Sequence, residues 1–88
     1  MLQFEIKFEY KTKPVFAYVS KVESQNTPTY YYVEIQDYYQ FNVPETVLLQ
    51  IDNKNRLVFF FRGGEKKFVE EIAKQVLLYC HNNNILLQ

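Results

Sequence analysis

Disulfide chemistry, glycine motifs and net charge are all missing here: the 88 residues include one Cys, two Gly and no Trp. A single thiol forms no intramolecular disulfide, so a packed core has to hold the fold together. The two glycines are adjacent, as Gly63-Gly64, and lack the spacing that cradles a dinucleotide or a nucleoside triphosphate. Ten Lys and Arg balance ten Asp and Glu. That balance disfavours nucleic acid as a partner, because following a phosphate backbone takes a surplus of positive charge. No run of roughly 18 apolar residues and no basic-then-apolar N-terminus is present, so neither a membrane span nor a signal peptide is expected. Together with the lone cysteine, this makes the cytoplasm the expected location.

Aromatic and aliphatic residues are plentiful. Hydrophobic residues make up 48% of the chain and aromatics 18%, as eight Tyr and eight Phe. This is ample for a core and contrary to disorder. The length suits one domain, residues 1–88, with no repeat or linker to divide it.

Hydrophobic periodicity places the elements. Leu2, Phe4, Ile6, Phe8 and Tyr10 alternate with Gln3, Glu5, Lys7, Glu9 and Lys11, which predicts a strand with one wet face. Its alternating charges suit a sheet edge. Lys11-Thr12-Lys13-Pro14 predicts a turn, with Pro14 at the start of a second strand over Val15 to Val22. Both faces of that strand are partly apolar, with Val15, Ala17 and Val19 opposed to Phe16, Tyr18 and Val22, so alternation does not choose its inner face. After an exposed loop over 23–28, a third strand is expected from Thr29 to Asp37, with Tyr31, Val33 and Ile35 inward. Tyr38 to Glu45 has no clean period and contains Pro44. It reads as an irregular connection with Tyr39, Phe41 and Val43 tucked partly under the sheet.

Thr46 to Ile51 and Arg56 to Arg62 form a hairpin across Asp52-Asn53-Lys54-Asn55, whose residue types accept left-handed conformations. Val47, Leu49 and Ile51 share a face with Leu57, Phe59 and Phe61, leaving Leu48, Val58 and Phe60 on the reverse. From Glu65 the period becomes helical. Val69, Ile72, Ala73, Val76, Leu77 and Cys80 form an apolar stripe, and Glu70–Lys74 and Lys67–Glu71 are spaced to pair on the polar side. Asn82 or Asn83 is expected to take a left-handed position at the helix end. The fold class is therefore α+β: an antiparallel five-stranded curled sheet (β-β-β-β-β-α) with one C-terminal amphipathic helix packed on one face.

Catalytic materials are sparse. His81 is the only histidine, and Cys80 points to another helix face, so no metal or cofactor site is expected. Ser20 and Ser24 have no acid-histidine pair beside them. Glu5 and Glu9 share a face with Lys7 between them, the pattern of a solvated strand rather than of an acid-base dyad. These materials do not suit an enzyme. Arg62, Gly63, Gly64 and Lys66 form a weak anion-binding candidate at the helix start, and Tyr39 in the 38–43 connection is a second ligand candidate.

The surplus of aromatic residues is the stronger signal. One helix covers one face of a sheet, which leaves Phe16, Tyr18, Tyr30, Tyr32, Val58 and Phe60 pointing away from it. A sheet that curled toward closure would bury them instead. Leu78, on the polar side of the helix, and the apolar tail Ile85-Leu86-Leu87 could extend a contact or dock back. These features predict a small protein-interaction module that self-associates as a homodimer or binds another protein, through the aromatic face or through the helix and tail. A small-ligand or anion-binding domain is the alternative.

Overall fold

The computed structural model describes residues 2–41, 43–59 and 65–88. Strands β1 (Leu2–Tyr10), β2 (Lys13–Val22), β3 (Tyr30–Ile35), β4 (Thr46–Ile51) and β5 (Leu57–Phe59) precede one helix, α1 (Lys66–Asn82). Each strand pairs antiparallel with its neighbours in the order β1-β2-β3-β4-β5, so the sheet is an open meander with β1 and β5 at its edges. The expected class and element order hold. The sheet is not closed, and Tyr18, Tyr32, Leu48 and Val58 on its outer face stay exposed.

The register follows from the alternation of the strands. Phe4, Ile6 and Phe8 of β1, Val15, Ala17 and Val19 of β2, and Tyr31, Val33 and Ile35 of β3 are buried with Val47, Leu49 and Ile51 of β4. Pairing Phe4 with Val19, Val19 with Val33 and Val33 with Val47 fixes one choice for β2, because a slip by one residue would turn every apolar set outward. Leu57 and Phe59 face Ile51 and Leu49 as expected; Phe60 and Phe61 lie outside the described residues. Burial at the inner face is unequal, since Leu2 at its start is 36% exposed.

The helix deviates from the expected stripe at one position. Leu77 is exposed, and Phe68, wholly buried, takes its place beside Val69, Ile72, Ala73, Val76 and Cys80. Phe68 precedes Ile72 and Val76 by one and two turns and so lies near the centre of the buried arc, whereas Leu77 falls beyond its rim. Two aromatic clusters anchor the helix ends. Phe68 packs with Phe8, Tyr10 and Phe41 at ring separations of 5.8, 5.1 and 5.6 Å, and Tyr79 stacks on Phe4 at 4.0 Å. Glu70 pairs with Lys66 at 4.0 Å rather than with Lys74, and Glu71 accepts a hydrogen bond from Gln75. The left-handed residue after the helix is Asn84, at φ 55°, because the helix runs through Asn82 and Asn83 adopts φ −112°.

A helix is about 10 Å across and five strands span about 20 Å, so α1 alone leaves part of the inner face bare. Two irregular segments fill that space. In the β3–β4 connection, Phe41 and Val43 pack on the core, and Ile85 and Leu87 of the tail do the same. Tyr39 does not tuck under as expected: it is 74% exposed. Asp37 at φ 51° ends β3 two residues early and starts a 3-10 turn over Tyr38–Gln40 that swings Tyr39 outward, where its hydroxyl donates to Asp37 Oδ1 at 3.3 Å.

Both tight hairpins use left-handed residues. In the β4–β5 turn Asn55 adopts φ 60°, and the Asp52 carboxylate accepts from the Lys54 and Arg56 amides and from the Arg56 guanidinium. These bonds, led by the Arg56 amide, hold the Asp52 carboxyl below its ordinary range. The β1–β2 loop places Lys11 at φ 49° and Thr12 at φ 66°, the conformation that matches strand twist but suits Asn-Gly. A β-branched residue there costs about 1–2 kcal/mol, more than the ~0.5–1 kcal/mol of extra unfolded-state entropy that glycine would bring. Thr12→Gly is therefore expected to raise stability by about 0.5–1 kcal/mol and Thr12→Val to leave the strain in place, as read by urea denaturation.

Candidate functional site

The outer face of the sheet carries the candidate surface. Its side chains come from Gln3, Glu5, Lys7 and Glu9 of β1, alternating with the core residues, and from the opposite parity of every other strand. The register sets them in rows. Glu5, Tyr18, Glu34 and Thr46 lie abreast; Gln3, Ser20, Tyr32 and Leu48 form the next row; Val22, Tyr30, Gln50 and Val58 form a third. Lys7 lies opposite Phe16 with its ammonium 5.3 Å from the ring centre, a cation-π contact. Gln3 Nε2 donates to Ser20 Oγ at 3.5 Å.

Of the residues expected here, Tyr18 is 52% exposed and Tyr32 37%, while Phe16 and Tyr30 are half-buried among their neighbours. Leu48 and Val58 complete an apolar strip across the three central strands and β5. Phe60 lies outside the described residues. A shallow concavity of about 420 Å³ opens beside Tyr18, between the Glu5 and Glu34 carboxylates and above Gln3 and Ser20. Alternation places Glu5 on a wet strand face but does not bring it beside Tyr18 and Glu34. That juxtaposition comes only from pairing across three strands.

The ligand candidates are dispersed. Lys66 is exposed on the first helical turn, and Arg62, Gly63 and Gly64 lie outside the described residues. Beside the 38–43 connection a space of only about 150 Å³ is lined by Tyr10, Lys11, Lys13, Gln40, Phe41 and Glu65, below the size of a typical ligand pocket. Tyr39 is not among its walls. Leu78 is 44% exposed on the flank of the helix, beside β1. Among the described residues, no group of three or more His, Cys, Asp or Glu is placed to hold a metal ion, and no helix is long and apolar enough to cross a membrane.

Two polar clusters unforeseen in the sequence lie on the inner side, away from this surface, and tie the helix and tail to the sheet. Glu65 occupies the N-cap position of α1, and its carboxylate, instead of capping the helix, accepts from the Tyr10 hydroxyl and, at 2.7 Å, from Lys11. The Lys11 ammonium, then the Tyr10 hydroxyl, hold the Glu65 carboxyl below its ordinary range, and the same carboxylate, aided by burial, pushes Tyr10 up to about 12. At the other end Lys21, on the inner side of β2, is 6% exposed. Its ammonium donates to the backbone oxygens of Leu86 at 2.6 Å and Gln88 at 3.0 Å and pairs with Glu23 at 3.1 Å, so each of three N–H donors has an acceptor. Beside it the Tyr31 hydroxyl donates to Leu87 O at 2.9 Å and accepts from the Cys80 thiol at 3.9 Å. Burial pushes both Tyr31 and Cys80 up, so the thiol is an inert part of the core. The tail thus docks on its own chain.

Comparison with known proteins finds no matching family, no matching characterised protein and no matching solved structure.

Two predictions follow the clusters. Glu65 has a lowered folded-state pKa, so its contribution is present above the ordinary value of 4.5 and is lost as pH falls through the folded value. Tyr10 is raised from 10.0 to about 12, so its contribution is present below 10 and is lost as pH rises toward 12. Denaturation midpoints of Glu65→Gln should lose part of the wild-type decline at both ends. Lys21→Met keeps the apolar stem but removes the donors; stability should fall by about 1–2 kcal/mol, with faster amide exchange confined to residues 85–88.

Proposed function

We propose that this protein is a small non-enzymatic interaction module of the cytoplasm, and that it docks a protein partner on the outer face of its sheet. The observation that carries this reading is the uncovered strip of Phe16, Tyr18, Tyr30, Tyr32, Leu48 and Val58 on a sheet whose opposite face is already filled. Tyrosine suits such a surface because the ring buries area at little entropic cost while the hydroxyl stays wet. The tail, engaged by Lys21 and Tyr31, is not free to compete for the role. A lone buried thiol is compatible with a reducing compartment.

The charge on the face favours a partner of complementary chemistry. Within the strands it displays Glu5, Glu9 and Glu34 against Lys7, an excess of negative charge that two copies stacked face to face would share. A segment bearing Arg or Lys beside apolar side chains complements it, with the cation placed over Tyr18 between Glu5 and Glu34. A random peptide library displayed on phage and selected on the immobilised protein should enrich basic peptides that also carry aliphatic or aromatic residues. Their binding should fall at least tenfold in Tyr18→Lys/Tyr32→Lys, whose thermal midpoint stays close to wild type. Absence of enrichment, or equal binding to the folded double variant, would overturn the reading.

A further inference from the structure

We infer that β1 is a self-complementary edge through which two copies of this chain join into one continuous antiparallel sheet. This inference does not depend on what occupies the outer face. Among the described residues no strand lies beyond β1. All nine of its residues pair in unbroken register with β2, from Leu2 with Lys21 to Tyr10 with Lys13, and it contains no proline or bulge to blunt it. Such an edge is a template for a further strand.

The direction of its free hydrogen-bonding groups follows from the pairing. In an antiparallel ladder, pairs that exchange both backbone bonds alternate with pairs that exchange none. Phe16 uses its carbonyl oxygen toward β3, accepting from the Gln36 amide at 2.9 Å. Its opposite number Lys7 therefore makes no ladder bond to β2, and with Lys7 the backbone groups of Glu5 and Glu9 face the open side. The side chains of these residues lie on the outer face, in the sign order minus, plus, minus.

Two independent requirements select the same register. Antiparallel pairing of β1 with itself uses all nine residues only when the two-fold axis passes through Ile6, at the middle of Leu2–Tyr10. In that register Glu5 lies opposite Lys7 of the second copy and Lys7 opposite Glu5, while Phe4 meets Phe8 on the inner side. Moving the centre to Glu5 sets Glu5 against itself. Moving it to Lys7 sets Lys7 against itself and Glu5 against Glu9. Like charges directly opposite are destabilising and unlike ones stabilising, so the neighbouring registers are disfavoured as this one is favoured.

The helix flanks the edge at the same point and adds one exposed leucine to it. A groove of about 240 Å³ runs along Glu5, Ile6 and Lys7 beneath Gln75, Leu78, Tyr79 and Asn82. An axis through Ile6, perpendicular to the sheet, keeps both helices in one layer and brings Leu78, otherwise an exposed leucine, beside its own symmetry mate. The result is a ten-stranded sheet with two helices on one side and two outer faces merged on the other.

Sedimentation equilibrium on the full chain tests this by charge exchange. Glu5→Lys and Lys7→Glu should each weaken dimerisation roughly tenfold, since two favourable pairs become two repulsive ones, and Glu5→Lys/Lys7→Glu should restore it. Leu78→Ser should weaken it without lowering thermal stability. Amide exchange at Glu5, Lys7 and Glu9 should slow as concentration rises. A wild type that stays monomeric at millimolar concentration overturns the inference, and so does a dimer that ignores the exchange. A dimer dissolved by Tyr18→Lys/Tyr32→Lys instead would place association on the outer face. Loss of peptide binding in those tyrosine variants with dimerisation intact would separate the two surfaces.

Discussion

One helix has one apolar side, and that limit organises the rest of this molecule. A five-stranded sheet has two faces, and α1, about 25 Å long for its 17 residues, occupies only one of them. Consecutive strands pair in order, so among the described residues no strand returns to cover the other face or to close the edges. The inner face gathers Phe4, Ile6, Phe8, Tyr31, Leu49 and Phe68 into a single core. The outer aromatics and the free side of β1 follow from the same shortage of covering structure. Whatever this protein contacts, its available surfaces are those that one short helix leaves over.

Because the helix is also narrower than the sheet, irregular segments have to complete the inner layer. Their backbone polar groups come with them and need partners. The tail meets this need with Lys21 and Tyr31, which spend their polar ends on the oxygens of Leu86, Leu87 and Gln88. A lysine on the core side of a central strand would otherwise be a costly burial. Here its stem lies among apolar neighbours and its ammonium reaches the rim. The Tyr10–Glu65–Lys11 cluster does the corresponding work at the helix start, joining the first hairpin to the helix across more than fifty residues of chain. Both clusters lie on the covered side, which leaves the outer face to its own rows of tyrosine and glutamate.

Much of the fold could be read from alternation, and the exceptions share a cause. β1, β4, the Asp52–Asn55 turn and the helix carry periods or turn chemistry that are complete within a few residues. The inner face of β2 was not legible because both of its sides are apolar, and pairing with β1 and β3 decided it. Tyr39 looked like an anchor by composition, but the left-handed Asp37 turned it out. Leu77 fell outside the buried stripe and Phe68 inside it because a helical stripe has a centre and a rim, and only contact with the sheet shows where the centre lies. Of the candidate surface, Tyr18, Tyr32 and Val58 were legible as outward residues, whereas the grouping of Glu5 and Glu34 around Tyr18 was not.

The sequence by itself determined the periods, the balance of charge and the excess of aromatic side chains over what one helix can cover. These are local or additive properties, and each can be counted along the chain. Tertiary structure decided which residues lie abreast, which strand is left at the edge, and that Lys21 is buried with acceptors from the tail. Those facts depend on contacts between residues far apart in sequence. A strand's alternation states that it has two sides but not which strands will lie beside it.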